Sequence, residues 1–150
     1  ITNFHPMNES TQITNKKLLE PALSYKIQGI FYNVAIKYGS GLKEQIYQKA
    51  LAEELTKNKV SFEEQKRINI YSVDSGKLLG VYVPDFVING VILLELKSKP
   101  FITKEDERQF WLYLKASDYK VGLLVNFGPQ KLEIRRRVYD KARKYPHKSA

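Results

Sequence analysis

Asp85 and Glu95 are carboxylates set among apolar residues, and that placement needs a reason. Over Leu78–Ile88, strand alternation puts Val81, Val83, Asp85 and Val87 on one side and Tyr82, Pro84, Phe86 and Ile88 on the other. Over Val91–Ser98, Val91, Leu93, Glu95 and Lys97 share a side, opposite Ile92, Leu94 and Leu96. Both sides are apolar, so each acid is a lone carboxylate on a face expected to be buried. Proteins keep such acids only when they are paired, hydrogen-bonded or bound to a metal. Two acids and a lysine on neighbouring central strands point to a metal.

The turn between these strands decides whether the acids can meet. A two-residue turn at Asn89-Gly90 would pair Ile88 with Val91 and send Asp85 and Glu95 to opposite faces. A three-residue loop, Ile88-Asn89-Gly90 with Gly90 left-handed in a bulge, would bring them to one face. Pro84 is a second place for an irregularity, because it cannot donate to a ladder. A shared metal site requires one of these departures.

Three further residues could join it. Glu44 lies two and three helical turns before Leu51 and Leu55, in line with core positions, and Tyr47 is its neighbour. The plainer reading of Glu44 is an acid in a first turn, favoured by the helix dipole. Gln109 and Tyr113, four apart, share one face of a helix that directly follows the Glu95-Leu96-Lys97 strand. That pair could overhang the site or serve ordinary packing.

The elements that must position these residues follow from periodicity. Leu19, Leu23, Ile27, Ile30, Val34 and Tyr38 recur at helical steps from Leu18 to Tyr38, with Pro21 tolerable near the start. Gly39-Ser40-Gly41 stops this helix. A second spans Leu42 to Asn58, carrying Leu42, Ile46, Ala50, Leu51 and Leu55. Phe62–Val73 and Leu78–Ile88 read as strands around the turn Asp74–Lys77, and Val91–Ser98 returns after Asn89-Gly90. Thr103 caps a helix running to Ala116, with an acid three residues on. Lys120–Phe127 is a continuous apolar run, typical of a central strand covered on both faces. Leu132–Tyr139 adds an edge strand. The connection through residues 99–119 should be a crossover, making the strand after it parallel to the one before. The expected fold is α/β, with a mixed central sheet of three antiparallel strands, then a parallel strand after a crossover helix, flanked by helices. Residues 1–17 form a polar segment unlike a signal peptide, 18–139 the domain, and 140–150 a basic polar tail.

Together the motifs carry a resemblance. Gly41-Leu42-Lys43-Glu44-Gln45-Ile46-Tyr47 resembles the pattern for which the GxxExxY family is named. Pro84-Asp85 followed by Glu95-Leu96-Lys97 resembles the PD-(D/E)XK nuclease signature, and Gln109 through Tyr113 the Q-x-x-x-Y element of its exonuclease branch. The similarity runs from about Leu23 to Arg137, with the motifs in the family's order. It implies a restriction-endonuclease-like core and metal-dependent phosphodiester hydrolysis. Asp85, Glu95 and Glu44 would be the metal-site acids, taking Mg²⁺ with Mn²⁺ as a substitute. Lys97 would act on the attacking water or the phosphate, and Gln109 and Tyr113 would orient the lysine or the phosphate.

Composition fits an intracellular nucleic-acid enzyme. The 150 residues suit one domain, and 43% hydrophobic content suits a buried core. The chain has no cysteine, hence no thiolate metal site, and a reducing, cytoplasmic setting is expected. No apolar run approaches the roughly 20 residues of a membrane span. Of the net charge of +9, the last twenty residues supply +6. Arg135, Arg136 and Arg137 are candidate contacts to a nucleic-acid backbone, with DNA the first expectation. The plainer reading of the basic end is a solvated tail. A homodimer or a recruiting protein could supply the target. Two rival roles stand beside the nuclease: a nucleic-acid-binding module that cuts poorly, and an interaction protein in which Lys97 neutralises buried acids.

Overall fold

The computed structural model describes residues 9–139, with side chains from Pro21 onward. The basic polar tail at 140–150 and residues 1–8 lie outside the described residues. The first helix, α1 (Glu9–Tyr38), starts well before Leu18, so Pro21 sits in its interior instead of near its start. There it forgoes the bond its N–H would have made one turn back. Ile27, Ile30, Phe31 and Val34 form the buried stripe, whereas Tyr38 is exposed. The second helix, α2 (Glu44–Lys57), buries Tyr47, Ala50, Leu51 and Leu55. Ile46, expected in the core, is exposed, and Tyr47 takes that role. An aromatic one residue along points about 100° further round the helix, toward the sheet.

Seven strands follow: β1 (Phe62–Glu64), β2 (Ile68–Tyr71), β3 (Leu78–Tyr82), β4 (Phe86–Ile88), β5 (Ile92–Lys97), β6 (Val121–Phe127) and β7 (Leu132–Val138). Helix α3 (Lys104–Ala116) connects β5 to β6. The main sheet has the order β1-β4-β5-β6-β7. β1, β4 and β5 are antiparallel, β5 and β6 are parallel, and β7 returns antiparallel to β6. This is the mixed sheet flanked by helices that the sequence implies, with a restriction-endonuclease-like arrangement. No described helix is long and apolar enough to cross a membrane.

The two expected long strands, Phe62–Val73 and Leu78–Ile88, are each broken. β1 pairs with β4, while β2 and β3 form a separate two-stranded ribbon. The two pairings share one offset, Phe62 with Ile88 and Ile68 with Tyr82, so they are two ends of a single hairpin that opens in its middle. It opens between Gln65–Arg67 and Val83–Asp85. Gln65 has a left-handed φ of 54°, and Pro84 has no N–H to continue the ladder.

Helices α1 and α2 cover one face of the sheet, over Phe86, Ile88, Ile92, Leu94, Leu96, Leu123 and Val125. Helix α3 and the ribbon cover the other, over Val87, Leu93 and Leu124. Every residue of β6 is buried, as its apolar run implies. Gly122 lets α3 approach it, since a Cβ there would lie 2.8 Å from Leu114 Cδ2 and 3.0 Å from Phe110. Thr103 starts α3 with the expected capping box, accepting from the Asp106 N–H while Asp106 accepts from the Thr103 N–H.

Candidate active site

The parity condition on Asp85 and Glu95 is met, one residue away from the expected place. Ile88 pairs with Ile92, so the loop is Asn89-Gly90-Val91 instead of Ile88-Asn89-Gly90. Asn89 and Gly90 both have positive φ, 52° and 68°, and the Val91 N–H bonds the Ile88 carbonyl at 3.0 Å. Extending the pairing of Phe86 with Leu94 brings Asp85 opposite Glu95. Both then lie on the α3 side with Val87 and Leu93. Asp85 itself is at the hairpin's opening, not within a strand.

Each acid is gripped by a neighbour. The Leu96 N–H donates to Asp85 Oδ2 at 2.7 Å, tying the opened hairpin to β5. The Tyr82 hydroxyl donates to Glu95 Oε1 at 2.7 Å. Burial pushes the Asp85 carboxyl up, against the Leu96 N–H, the Gln65 side chain and the Lys97 charge. Burial, then repulsion from Asp85, pushes Glu95 up to about 7 from an ordinary 4.5. Burial, then the charge of Glu95, pushes Tyr82 up, so it stays a protonated donor. Lys97 lowers the pKa of both acids through space, yet it stands within ion-pair distance of no described carboxylate.

Glu44 is the first residue of α2 and joins the same electrostatic cluster. A first-turn acid governed by the helix dipole alone would have its pKa lowered. Glu44 is exposed, yet partial desolvation, then Asp85, push its carboxyl up, while Lys97 and the Ser98 backbone pull it down. The start of α2 is held at this point by Tyr47, which donates to the Gly39 carbonyl at 2.6 Å and accepts from the Leu42 N–H at 3.3 Å. Its ring stacks on Phe127 at 4.3 Å. Gly41, at φ 90°, makes the bend that places Glu44 there. Ser98 Oγ donates to the Leu42 carbonyl at 2.5 Å, fastening α2 to the end of β5.

Tyr113 is 37% exposed and stacks on Tyr82, with ring centroids 4.3 Å apart and planes 9° from parallel. Gln109, one turn earlier, is exposed. The three arginines of β7 do not share one surface. Arg135 and Arg137 alternate with Arg136 along the strand. Arg135 is committed to Glu107 at 3.0 Å and Glu133 at 3.3 Å, and Arg137 lies over the rings of Trp111 and Tyr139.

Sequence reasoning missed Tyr82, Gln65, Asn126 and Glu133. Alternation assigned Tyr82 to the face opposite Asp85, and the opened hairpin redirects it. Asn126 is fully buried, spanning the Lys99 N–H (3.0 Å) and carbonyl (2.9 Å) and donating to Glu133 Oε1 at 3.0 Å. Glu133 also accepts from the Ile102 N–H at 2.9 Å. These two side chains hold the loop that leaves Lys97. The available signal was an amide inside an otherwise apolar run.

Among the described residues, no three His, Cys, Asp or Glu side chains converge closely enough to form a ready-made cage. The donor set nevertheless fits Mg²⁺, which takes one or two carboxylates and completes its shell with water and substrate oxygens. Two carboxylates whose pKa values are raised by burial, one of them further by the other, are also groups that a cation would relieve. A family model for the PD-(D/E)XK nuclease superfamily matches residues 21–137. No curated protein and no solved structure matches the chain.

Proposed function

The chain belongs to the PD-(D/E)XK nuclease superfamily, and from that premise we propose that it is a Mg²⁺-dependent nuclease cutting phosphodiester bonds in nucleic acid, DNA before RNA. The observation that carries this reading is the pair Asp85 and Glu95. Both are partly buried on one face with raised pKa values, and Lys97 lies near without pairing to either. Asp85 and Glu95 would hold the ion, with Glu44 as a third acid at longer range. A divalent ion there supplies Lewis acidity, acidifying water and offsetting charge on the phosphodiester.

Lys97, without a carboxylate partner among the described residues, is available to hold the attacking water or to neutralise a phosphate oxygen. Water forms the new P–O bond, the bond to the leaving oxygen breaks, and that oxygen takes up a proton. A cleft of about 370 Å³ beside the site is lined by Gly41, Leu42, Lys43, Ser98, Lys99, Pro100, Phe127 and Pro129. Lys43 there suits the substrate backbone better than Arg135 or Lys99, whose charges are already met by acidic partners. Gln109, exposed on α3 one turn before Tyr113, would be suited to a phosphate contact. The finer GxxExxY assignment rests on Gly41 to Tyr47.

The test is incubation with single-stranded, duplex and branched DNA and with RNA, in Mg²⁺, Mn²⁺ or EDTA. Asp85→Ala and Lys97→Ala should each lower cleavage about a hundredfold or more. Salt-sensitive binding without cleavage, unchanged in both variants, would favour a binding module. Cleavage unaffected by EDTA would overturn the metal site.

A further inference from the structure

Tyr82 touches a proposed metal-site acid, yet it comes from outside the main sheet. It closes β3 of the ribbon, is 9% exposed, and donates to Glu95 Oε1 at 2.7 Å. Behind it lies Tyr113, ring on ring. Among the described residues the Tyr113 hydroxyl makes no hydrogen bond to Lys97 or to either acid, and the residue meets Tyr82 through its ring. We propose that Tyr82 is the positioning residue that fixes the Glu95 carboxylate for a divalent cation, and that Tyr113 acts through it by stacking, with its ring and not its hydroxyl.

The chemistry follows from what each group lacks. A glutamate side chain has three rotatable bonds, and among the described residues no ion pair holds Glu95. A hydrogen bond to a charged acceptor is shorter and stronger than one between neutral groups, and 2.7 Å is in that range. Such a bond leaves the carboxylate in one orientation before a cation arrives, so binding does not have to order it. The phenol suits the task because its hydroxyl is a donor that an acidic oxygen can accept from, at the end of a rigid ring. Its own aim depends on the ring plane, which Tyr113 sets by stacking on it. A parallel ring at 4.3 Å can do this without any polar group.

This inference rests on the metal-binding reading of the site, and the experiment separates the two. Mn²⁺ binding to the whole protein is measured by calorimetry without nucleic acid, alongside cooperative urea unfolding to confirm the fold. Tyr82→Phe keeps the ring and the stack and removes only the donor, and should weaken Mn²⁺ about tenfold. Tyr113→Leu should weaken it several-fold, whereas Tyr113→Phe should stay within about twofold of the parent. If the parent binds Mn²⁺ and Tyr82→Phe binds it equally well, Tyr82 merely fills space and the proposal fails. If Tyr113→Phe is as impaired as Tyr113→Leu, the hydroxyl is the working group and the stacking role fails. A parent that binds no Mn²⁺ overturns the metal site itself, and this inference with it.

Discussion

Glu95→Gln should make the metal-free protein more stable above neutral pH, while removing its response to metal. The folded protein holds the Glu95 proton up to about pH 7, against 4.5 for the ordinary carboxyl. Between those values the folded state binds more protons than the unfolded one, so stability falls as pH rises. Ionising Glu95 in the fold therefore costs up to about 3 kcal/mol, taking ~1.4 kcal/mol per pH unit. The penalty is absent below about pH 4.5, grows through the interval and is complete above about pH 7. Glutamine keeps an oxygen to accept from Tyr82 and carries no charge. Urea unfolding in EDTA, read by circular dichroism at pH 4.5, 6 and 8, gives the difference directly. The variant should match the parent at pH 4.5 and exceed it by about 1–3 kcal/mol at pH 8. Carboxylates remote from Glu95 titrate alike in both proteins and cancel. With millimolar Mg²⁺ at pH 8 the parent should recover stability and the variant should not. A variant no more stable than the parent at pH 8, or a difference independent of pH, would refute the reasoning.

Further outcomes follow from other contacts of the fold. Tyr47→Phe keeps the stack on Phe127 but loses the bonds to Gly39 and Leu42. It should cost about 1–2 kcal/mol in urea unfolding, with cleavage falling because Glu44 loses its fixed helix start. Asn126→Ala strips three bonds from a buried network and should cost about 2–4 kcal/mol, read in the same unfolding assay. Lys43→Ala should lower the salt dependence of duplex binding by about one phosphate contact, measured as the slope of log affinity against log salt. Arg135→Ala should leave that slope unchanged, because Arg135 already faces Glu107 and Glu133.

Periodicity and capping made the frame of the fold legible. The apolar run before Phe127 can only be a covered central strand, and Thr103 with Asp106 can cap only one helix start. The condition on Asp85 and Glu95 was legible too, as a parity argument that the three-residue loop satisfies. What escaped were features set by two strands acting together. Alternation treats a strand as straight, so it could not see the hairpin open at Gln65 and Pro84, and it put Tyr82 on the wrong face. Helical spacing placed Ile46 in the core one residue from the true position, because it is Tyr47 that turns inward and stacks on Phe127. The arginines of β7 read as one basic patch in sequence, but a strand separates neighbours and acidic partners had already claimed one of them.

The rival reading of Asp85 and Glu95 as a structural charge cluster can be weighed against how this protein treats its other buried acids. Glu54 is buried and meets Lys37 in a direct ion pair, which is the largest cause of its lowered pKa. Glu133 is buried and takes bonds from Ile102, Asn126 and Arg135. Asp106 pairs with Lys99 at 2.7 Å and is drawn down to about 2 despite its burial, by that bond and those to Thr103. In each of these places the fold brings a cation into contact with the acid. Asp85 and Glu95 receive hydrogen bonds that orient them, but among the described residues no cation contacts them, although Lys97 sits on the same face. A lysine serving only to neutralise would gain by closing that gap, since an unpaired buried charge is costly. Negative charge is thus left in excess where the fold could have cancelled it, which is the arrangement a divalent ion and a phosphate would complete.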